Sequence, residues 1–227
     1  MKPLNSKIIK ILLLPVLVFN AYTCTGQVKD ALNELKARQE IYKSWAESVK
    51  TGNQAPDFRY QDIRNDTVQL SSLLGKPVVL FIWDGWCPYA ETQITAYEKL
   101  KNQFRGDNIA FVTIATDVPK EYWEVYVKKN NHKDIQLWSG GNNEPPAFNY
   151  LLKDITTWQE LDPASVKTRE FKKAVDSGIT IIPVNYMFVV IDADGKIVDN
   201  NIVRISNNRI LEEKIYSLLR TANEKYP

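Results

Sequence analysis

The sequence feature that most constrains the fold is an apolar run that leads into a cysteine-containing turn and continues as a helix, Pro77 to Leu100. Val78 to Trp83 form a short, mostly apolar stretch with β-prone side chains, which predicts a buried strand. Glu91 to Leu100 have the apolar spacing of a helix. The sequence Trp86-Cys87-Pro88-Tyr89-Ala90 joins the two. The run therefore predicts a strand–turn–helix unit with a cysteine at the turn.

This position favours an acidic, reactive thiol at Cys87. Unpaired backbone N–H groups and the helix dipole at a helix N-terminus stabilise a thiolate, so the pKa of a cysteine there falls. Pro88 suits the first helical position, because the N–H that it lacks would have no partner there. The competing interpretation is an inert, half-buried cysteine, which is the usual state of a lone cysteine.

The first 26 residues predict a signal segment for export to the periplasm or cell envelope. Lysines precede an apolar stretch, Ile11 to Phe19, and a polar end follows it. The stretch is shorter than the ~20 apolar residues that a membrane-spanning helix needs. The residues before Cys24 match a lipoprotein signal imperfectly, so a lipid anchor at Cys24 and cleavage before Gln27 both stay open.

Charge and cysteine content exclude several classes of partner. The chain has 29 basic and 27 acidic residues, and three of the lysines precede residue 27, which leaves 26 against 27. A nearly neutral body has no basic surface for nucleic acid. If Cys24 is removed or lipidated, Cys87 is the remaining thiol and no internal disulfide can form. The single histidine, His132, offers no ligand set for a metal, and no cofactor is predicted.

The rest of the pattern predicts a helical prefix at residues 27–53 and an α/β domain at residues 54–227. Apolar spacing predicts one amphipathic helix in the prefix. The elements predicted in the domain are a hairpin at Phe58–Ile63 and Thr67–Leu70, strands at Ile109–Ala115 and Ile135–Trp138, and helices at Lys120–Asn130 and Arg209–Leu219. The alternation of strands and helices predicts a mainly parallel sheet.

Residues 139–170 interrupt this alternation. They combine glycine and proline with many large side chains, which favours an ordered insertion over a linker. Phe148, Tyr150 and Trp158 are expected to complete the core on an extra helix, and the alternative is a cap over a groove beside Cys87.

Strand, proline, strand, tight turn and strand follow the insertion. Pro183 interrupts an apolar strand, where proline cannot donate a ladder hydrogen bond. Two aromatic groups elsewhere are expected in the core: Trp83 on its strand, and Tyr122, Trp123 and Tyr126 on a packed helical face.

Four motifs give the chain a resemblance to the TlpA-like branch of the thioredoxin-fold proteins of the bacterial envelope. The motifs are APDF at 55–58, LGKPVVLFIWDGWCP at 74–88, the pair Ile182-Pro183, and VIDADGKIV at 190–198. Their order and spacing are more specific than any one of them, and the resemblance covers roughly residues 50 to 224. It implies a thioredoxin-like α/β fold in which helices flank a central mixed sheet.

The resemblance also implies a thiol-disulfide oxidoreductase whose nucleophile is Cys87. Pro183 would be a cis-proline that faces this cysteine. The residues implied to bind substrate are Trp86, Pro88, Tyr89, Ile182 and Pro183. The implied partners are protein or low-molecular-weight thiols and disulfides.

Three positions depart from the family pattern. The second cysteine, which resolves the mixed disulfide, is Ala90 here. The buried acidic residue that many thioredoxins have six places before the first cysteine is Phe81 here, and the glutamate that some envelope members have six places after it is Gln93. Ala90 is interpreted as a natural loss of the resolving thiol; the alternatives are a monothiol mechanism with an external thiol and an engineered trap.

Two functional hypotheses follow. In the first, the Cys87 thiolate attacks a disulfide or sulfenic acid, and an external thiol releases the mixed disulfide. In the second, the protein is a binding module that keeps the peptide groove without turnover, as Ala90, Phe81 and Gln93 suggest. A one-cysteine peroxidase is disfavoured, because the threonine expected three residues before the cysteine is Asp84.

Overall fold

A computed structural model of the chain describes residues 25–84, 90–130, 134–140, 145–154, 176–184, 186–202 and 208–225. These residues divide into two compact units. The first contains the described residues up to Ser44 together with those of Asp154–Ile182, and the second contains those of Trp45–Lys153 and those from Pro183 onwards. The predicted boundaries at residues 26 and 53 stay predictions.

The helices and strands are, in chain order, α1 (Thr25–Ser48), β1 (Arg59–Asp62), β2 (Thr67–Gln69), β3 (Val78–Asp84), α2 (Ala90–Gln103), β4 (Ala110–Thr116), α3 (Lys120–Asn130), β5 (Ile135–Trp138), α4 (Ala147–Leu151), β6 (Leu152–Asp154), β7 (Ile181–Pro183), β8 (Tyr186–Ile191), β9 (Ile197–Ile202) and α5 (Asn208–Lys225). A 3₁₀ turn, Leu70–Leu73, follows β2. Every predicted strand and helix that falls on described residues is present, with ends that shift by a few residues.

The second unit is built on a seven-stranded sheet in the order β2-β1-β5-β4-β3-β8-β9. The pairings β3–β4 and β4–β5 are parallel, and the other four are antiparallel. The mixed sheet of the thioredoxin-like fold is therefore confirmed, whereas the mainly parallel sheet expected from alternation is wrong. Crossover helices connect only β3, β4 and β5. A tight turn joins the antiparallel pairs β1–β2 and β8–β9, whereas β1–β5 and β3–β8 pair antiparallel across long connections.

Strand β3 lies inside the sheet and is buried on both faces. Val79, Phe81 and Trp83 pack in one cluster with residues of α2, α3 and α5. Because side chains alternate along a strand, Val78, Leu80 and Ile82 point to the opposite face. All three are fully buried. The strand predicted at Val78–Trp83 is confirmed.

Helix α4 covers part of the sheet within the insertion. All five of its residues are buried, and the helix contacts β3, β4 and β8. The ring of Phe148 packs edge-on against Trp45, with centroids 6.3 Å apart. The expectation that Phe148 and Tyr150 complete the core is confirmed. Trp158 lies outside the described residues.

The aromatic residues of α3 do not share one packed face. Trp123 is buried and Tyr126 packs against the same cluster, whereas Tyr122 is 64% exposed. Neighbouring residues on a helix point about 100° apart because a turn contains ~3.6 residues. The prediction was therefore wrong for Tyr122. Trp83, in contrast, is buried as expected.

A carboxylate closes the turn between β1 and β2. Asp62 accepts hydrogen bonds from the backbone N–H groups of Arg64 and Asp66 at 2.8 and 2.9 Å. Burial opposes the charged form of Asp62, but these hydrogen bonds and the Arg64 guanidinium hold its pKa below the usual value. Asn65 adopts a positive φ of 67° between them. The predicted hairpin is confirmed.

A second tight turn joins β8 to β9 within the VIDADGKIV motif. The Asp192 carboxylate accepts hydrogen bonds from the N–H groups of Asp194 at 3.0 Å and Lys196 at 2.8 Å. Gly195 has φ +88°, a backbone conformation that residues with a side chain rarely adopt. The motif is thus the sequence of the β8–β9 hairpin at the edge of the sheet.

Candidate functional site

The centre of the predicted site lies in residues 85–89, outside the described residues. Trp86, Cys87, Pro88 and Tyr89 belong to this segment. Their roles stay predictions, as does the cis geometry predicted for Pro183. The structure nevertheless describes the elements that hold the segment at both ends.

Those elements are β3 and α2. Strand β3 ends at Asp84 and helix α2 begins at Ala90. Five residues therefore connect an interior strand of the sheet to the first turn of a helix. Asp84 pairs with Thr116, so both lie at the carboxyl edge of the parallel strands. Open α/β sheets bind their ligands at this edge.

Buried polar groups lie beside this connection. The Thr116 hydroxyl donates a hydrogen bond to the Trp83 carbonyl at 3.2 Å. Among the described atoms, the indole Nε1 of Trp83 is buried without a hydrogen-bond partner, although its ring packs on Tyr126 at 5.1 Å. Asp117 follows β4 directly, is buried and has a positive φ of 49°. Strained residues and unpaired buried donors are typical of functional sites.

The position of the family's buried acid is filled by an aromatic cluster. Phe81 is fully buried and stacks on Phe188 with ring centroids 4.5 Å apart. Its ring also lies 5.4 Å from that of Tyr97. The phenyl ring of Phe81 cannot carry a proton, and a carboxylate at this position would be surrounded by apolar ring atoms. The substitution is therefore part of the packing of this chain.

Tyr97 and Gln93 on α2 do not replace the missing acid. The Tyr97 hydroxyl lies 3.2 Å from the carbonyl oxygens of both Val79 and Val112. Burial, followed by the charge of Asp134, raises the pKa of Tyr97 well above its ordinary value. Gln93 is partly exposed, and an amide does not titrate near neutral pH. Neither residue can exchange a proton with a thiol near neutral pH.

A cleft of about 990 Å³ lies at the opposite end of the parallel strands. Lys76 precedes β3 and Asp134 precedes β5, so the cleft adjoins the amino ends of these strands. Lys101, which pairs with Glu98 and Asp134, also lines it. The cleft therefore lies at the other end of the parallel strands from Asp84 and Thr116. In the described part of the chain, no group of three or more histidine, cysteine or acidic residues could hold a metal ion.

Sequence reasoning missed Gln39 on α1. Its side chain is buried and bonds to the backbone of Thr180 and Ile181, in the segment that leads into Ile182 and Pro183. The signal that could have found it is a glutamine between Leu35 and Tyr42, at the spacing of the helix's apolar stripe.

Comparisons with known proteins agree with this architecture. The sequence model of the AhpC/TSA family matches residues 51–199. Thiol-disulfide oxidoreductase ResA of Halalkalibacterium halodurans is 27% identical over 72 residues, which are 32% of this chain and 41% of the relative. The matches to this and two further curated relatives span less than half of each relative's length.

Solved structures extend the likeness over most of the chain. A Bacteroides vulgatus protein assigned as a thiol-disulfide oxidoreductase is 28% identical with a TM-score of 0.50, covering 77% of this chain and 94% of its own. A Chlorobium tepidum protein assigned as the thiol:disulfide interchange protein DsbE is 17% identical with a TM-score of 0.52, covering 76% and 99%. The second likeness supports the fold alone.

The family match covers about two thirds of the chain and includes the cysteine turn, β3 and the turn after β8. The chain belongs to the AhpC/TSA family and has the thioredoxin-like fold of its thiol-disulfide oxidoreductases.

Proposed function

We propose that the protein is a thiol-disulfide oxidoreductase of the cell envelope that acts through the single thiol of Cys87. The observation that carries the proposal is the connection between β3 and α2, which leaves five residues between Asp84 and Ala90. Cys87 is in the middle of them, just ahead of a helix N-terminus. Such a position lowers the pKa of a thiol and makes the thiolate available for attack.

The reaction needs two exchange steps. The Cys87 thiolate attacks one sulfur of a substrate disulfide, a new S–S bond forms, and the other sulfur leaves as a thiolate that takes a proton from water. A second thiol, from a small molecule or a partner protein, then attacks the mixed disulfide as a thiolate. It releases Cys87 as a thiolate and leaves the substrate sulfur in a disulfide with the external thiol, and a further external thiol then reduces that disulfide by the same exchange. Ala90 prevents the internal second step.

Substrate would be held in extended form beside Ile182 and Pro183. Peptides that add to an exposed strand bind through main-chain hydrogen bonds, and side-chain pockets then select among them. Trp86, Pro88 and Tyr89 would border the same substrate. Val184, just after Pro183, donates its N–H to the Leu151 carbonyl at 2.8 Å, which anchors the end of this segment.

Export and membrane attachment are part of the same proposal. The lysine-rich, apolar beginning of the sequence supports export, and Cys24 is the candidate site for a lipid anchor. In the part of the chain that the structure describes, no helix is long and apolar enough to span a bilayer.

A second candidate function is a binding module that holds a peptide without turnover. The aromatic packing around Phe81 favours it, because the acid that usually assists proton transfer has been replaced by a ring stacked on Phe188. Such a protein would retain substrate contacts at Ile182 and Pro183 but would not cycle.

The two functions are separated by a reductase assay with and without glutathione. The oxidoreductase is expected to reduce a peptide disulfide only when glutathione is present, and Cys87→Ser should abolish the reaction. Absence of turnover in both conditions, with retained peptide binding, would establish the binding module. Alkylation of Cys87 across a pH series tests the activated thiol, which should titrate below the ordinary value of about 8.5.

A further inference from the structure

The structure assigns a positioning role to Gln39, a residue of α1 that lies 142 positions before its partner in sequence. The inference rests on the proposed function, since it concerns the segment that would present Ile182 and Pro183 to substrate. Gln39 is 3% exposed, which is unusual for a glutamine and requires its amide to be hydrogen-bonded.

The amide of Gln39 hydrogen-bonds to the backbone of Thr180 and Ile181 through both its oxygen and its nitrogen. Its Oε1 accepts hydrogen bonds from the N–H groups of Thr180 and Ile181, both at 2.8 Å. Its Nε2 donates to the Ile181 carbonyl at 3.0 Å. One side chain therefore satisfies three backbone groups at the start of β7, two N–H groups and one carbonyl.

The same amide is fixed from its own helix. Gln39 Nε2 also lies 3.4 Å from the carbonyl of Leu35, one turn earlier in α1. The side chain starts from the interior of α1, where the backbone is hydrogen-bonded within the helix. Helix α1 thus holds Thr180 and Ile181, and the next two residues are Ile182 and Pro183.

These hydrogen bonds hold the backbone of Thr180 and Ile181 in one orientation before substrate binds at Ile182 and Pro183. Main-chain recognition depends on the direction of each N–H and C=O group, and small misplacements lower reaction rates steeply. We therefore expect Gln39 to affect the capture of an extended peptide, while the intrinsic reactivity of Cys87 toward a small reagent stays the same. Helix α1, which precedes the predicted domain in the sequence, thereby has a role in substrate binding.

The test compares Gln39→Met with Arg38→Met in the full chain. Both keep an unbranched side chain with good helix propensity. Arg38 is exposed and pairs only with Glu34 at 3.1 Å among the contacts described, so its variant is a matched control. The measurements are hydrogen exchange at Thr180 and Ile181, and the rates at which Cys87 reacts with a peptide disulfide and with iodoacetamide.

Gln39→Met is expected to lose protection at the Thr180 and Ile181 amides and to react with the peptide disulfide ~10–100-fold more slowly. Its iodoacetamide rate and the protection of β3 and β4 amides should match those of the natural chain. Arg38→Met should be unchanged in every measurement. If Gln39→Met does not fold, Gln39→Glu, which keeps acceptors for both N–H groups, should show an intermediate peptide rate.

Equal loss of the peptide and iodoacetamide rates would overturn the inference, because a merely structural role affects both. Unchanged amide protection would overturn it as well, and in both cases the natural chain would still react with peptide and keep the proposed function. If the natural chain reacts with iodoacetamide but captures no peptide disulfide, the proposed function fails, and the substrate role of Gln39 fails with it.

Discussion

Replacement of Phe81 tests whether the ring that stands in place of the buried acid stabilises the folded protein. In Phe81→Leu the apolar character of the site is kept, but the ring contacts to Phe188 at 4.5 Å, to Tyr97 at 5.4 Å and to Tyr186 at 6.5 Å are lost. An aromatic pair contributes about 0.5–1.5 kcal/mol beyond its burial, so the two closer pairs alone predict a loss of about 1–3 kcal/mol. Phe81→Ala, which also leaves a cavity, should cost about 3–5 kcal/mol.

Urea denaturation followed by tryptophan fluorescence measures these free energies of unfolding. In a chain of this length each kcal/mol shifts Tm by roughly 2–4 °C, so Phe81→Leu should lower Tm by ~2–12 °C. Tyr122→Leu is the control, because Tyr122 is 64% exposed and its replacement should stay within ~0.5 kcal/mol.

Phe81→Asp separates packing from catalysis. It restores the acid that the family usually places there, but buries a carboxyl among rings, and should destabilise the protein more than Phe81→Ala. The reasoning is refuted if Phe81→Leu is as stable as the Tyr122→Leu control. It is also refuted if Phe81→Asp is stable and accelerates disulfide reduction.

Three other substitutions test separate parts of the structure. Asp62→Asn should make the free energy of unfolding depend less on pH in acid. The pKa of Asp62 in the folded protein lies below its unfolded value of about 3.9. The stabilisation by the Asp62 carboxylate is therefore present above that pH and is lost as pH falls further. Urea midpoints between about pH 2 and 5 measure this, and an unchanged profile would contradict it. Burial raises the pKa of Tyr60 to about 12, so its contribution is present below about pH 10 and is lost as pH rises to 12; Tyr60→Phe should flatten that alkaline loss in the same assay. Ala90→Cys should let the pre-reduced protein fully reduce one equivalent of peptide disulfide without added thiol, as scored by mass spectrometry, whereas the natural chain should stop at the mixed disulfide.

Local structure was predictable where the periodicity of a short segment determines it. The helix at Lys120–Asn130 and the strand at Ile135–Trp138 lie at the residues that the pattern indicates. Apolar spacing and helix-breaking residues act within a few positions, so they are visible in the sequence. The packed face of that helix was less predictable, because Tyr122 and Trp123 are equally aromatic and only neighbouring elements decide which one is buried.

Strand order was not predictable from the residues alone. Alternation favours parallel pairing, but β8 joins β3 in antiparallel orientation after an insertion of more than 30 residues. Several connections satisfy the same local pattern, and the free energy of packing selects among them. Only the resemblance to thioredoxin-fold proteins pointed to the mixed sheet.

The candidate site divides in the same way. The sequence by itself determined the available chemistry: one cysteine at a strand-to-helix turn, Ala90 in place of a resolving thiol, and Phe81 and Gln93 in place of proton carriers. Residue identity is sufficient for such statements, because a missing thiol or carboxyl cannot be supplied by folding.

Only the tertiary structure decided how that chemistry is supported. In the folded chain Phe81 stacks on Phe188, and the Gln39 amide hydrogen-bonds to the backbone of Ile181. These contacts join residues more than 100 positions apart, and no local pattern encodes them. They form because buried rings and buried amides must find partners, and the folded chain determines which partners are within reach.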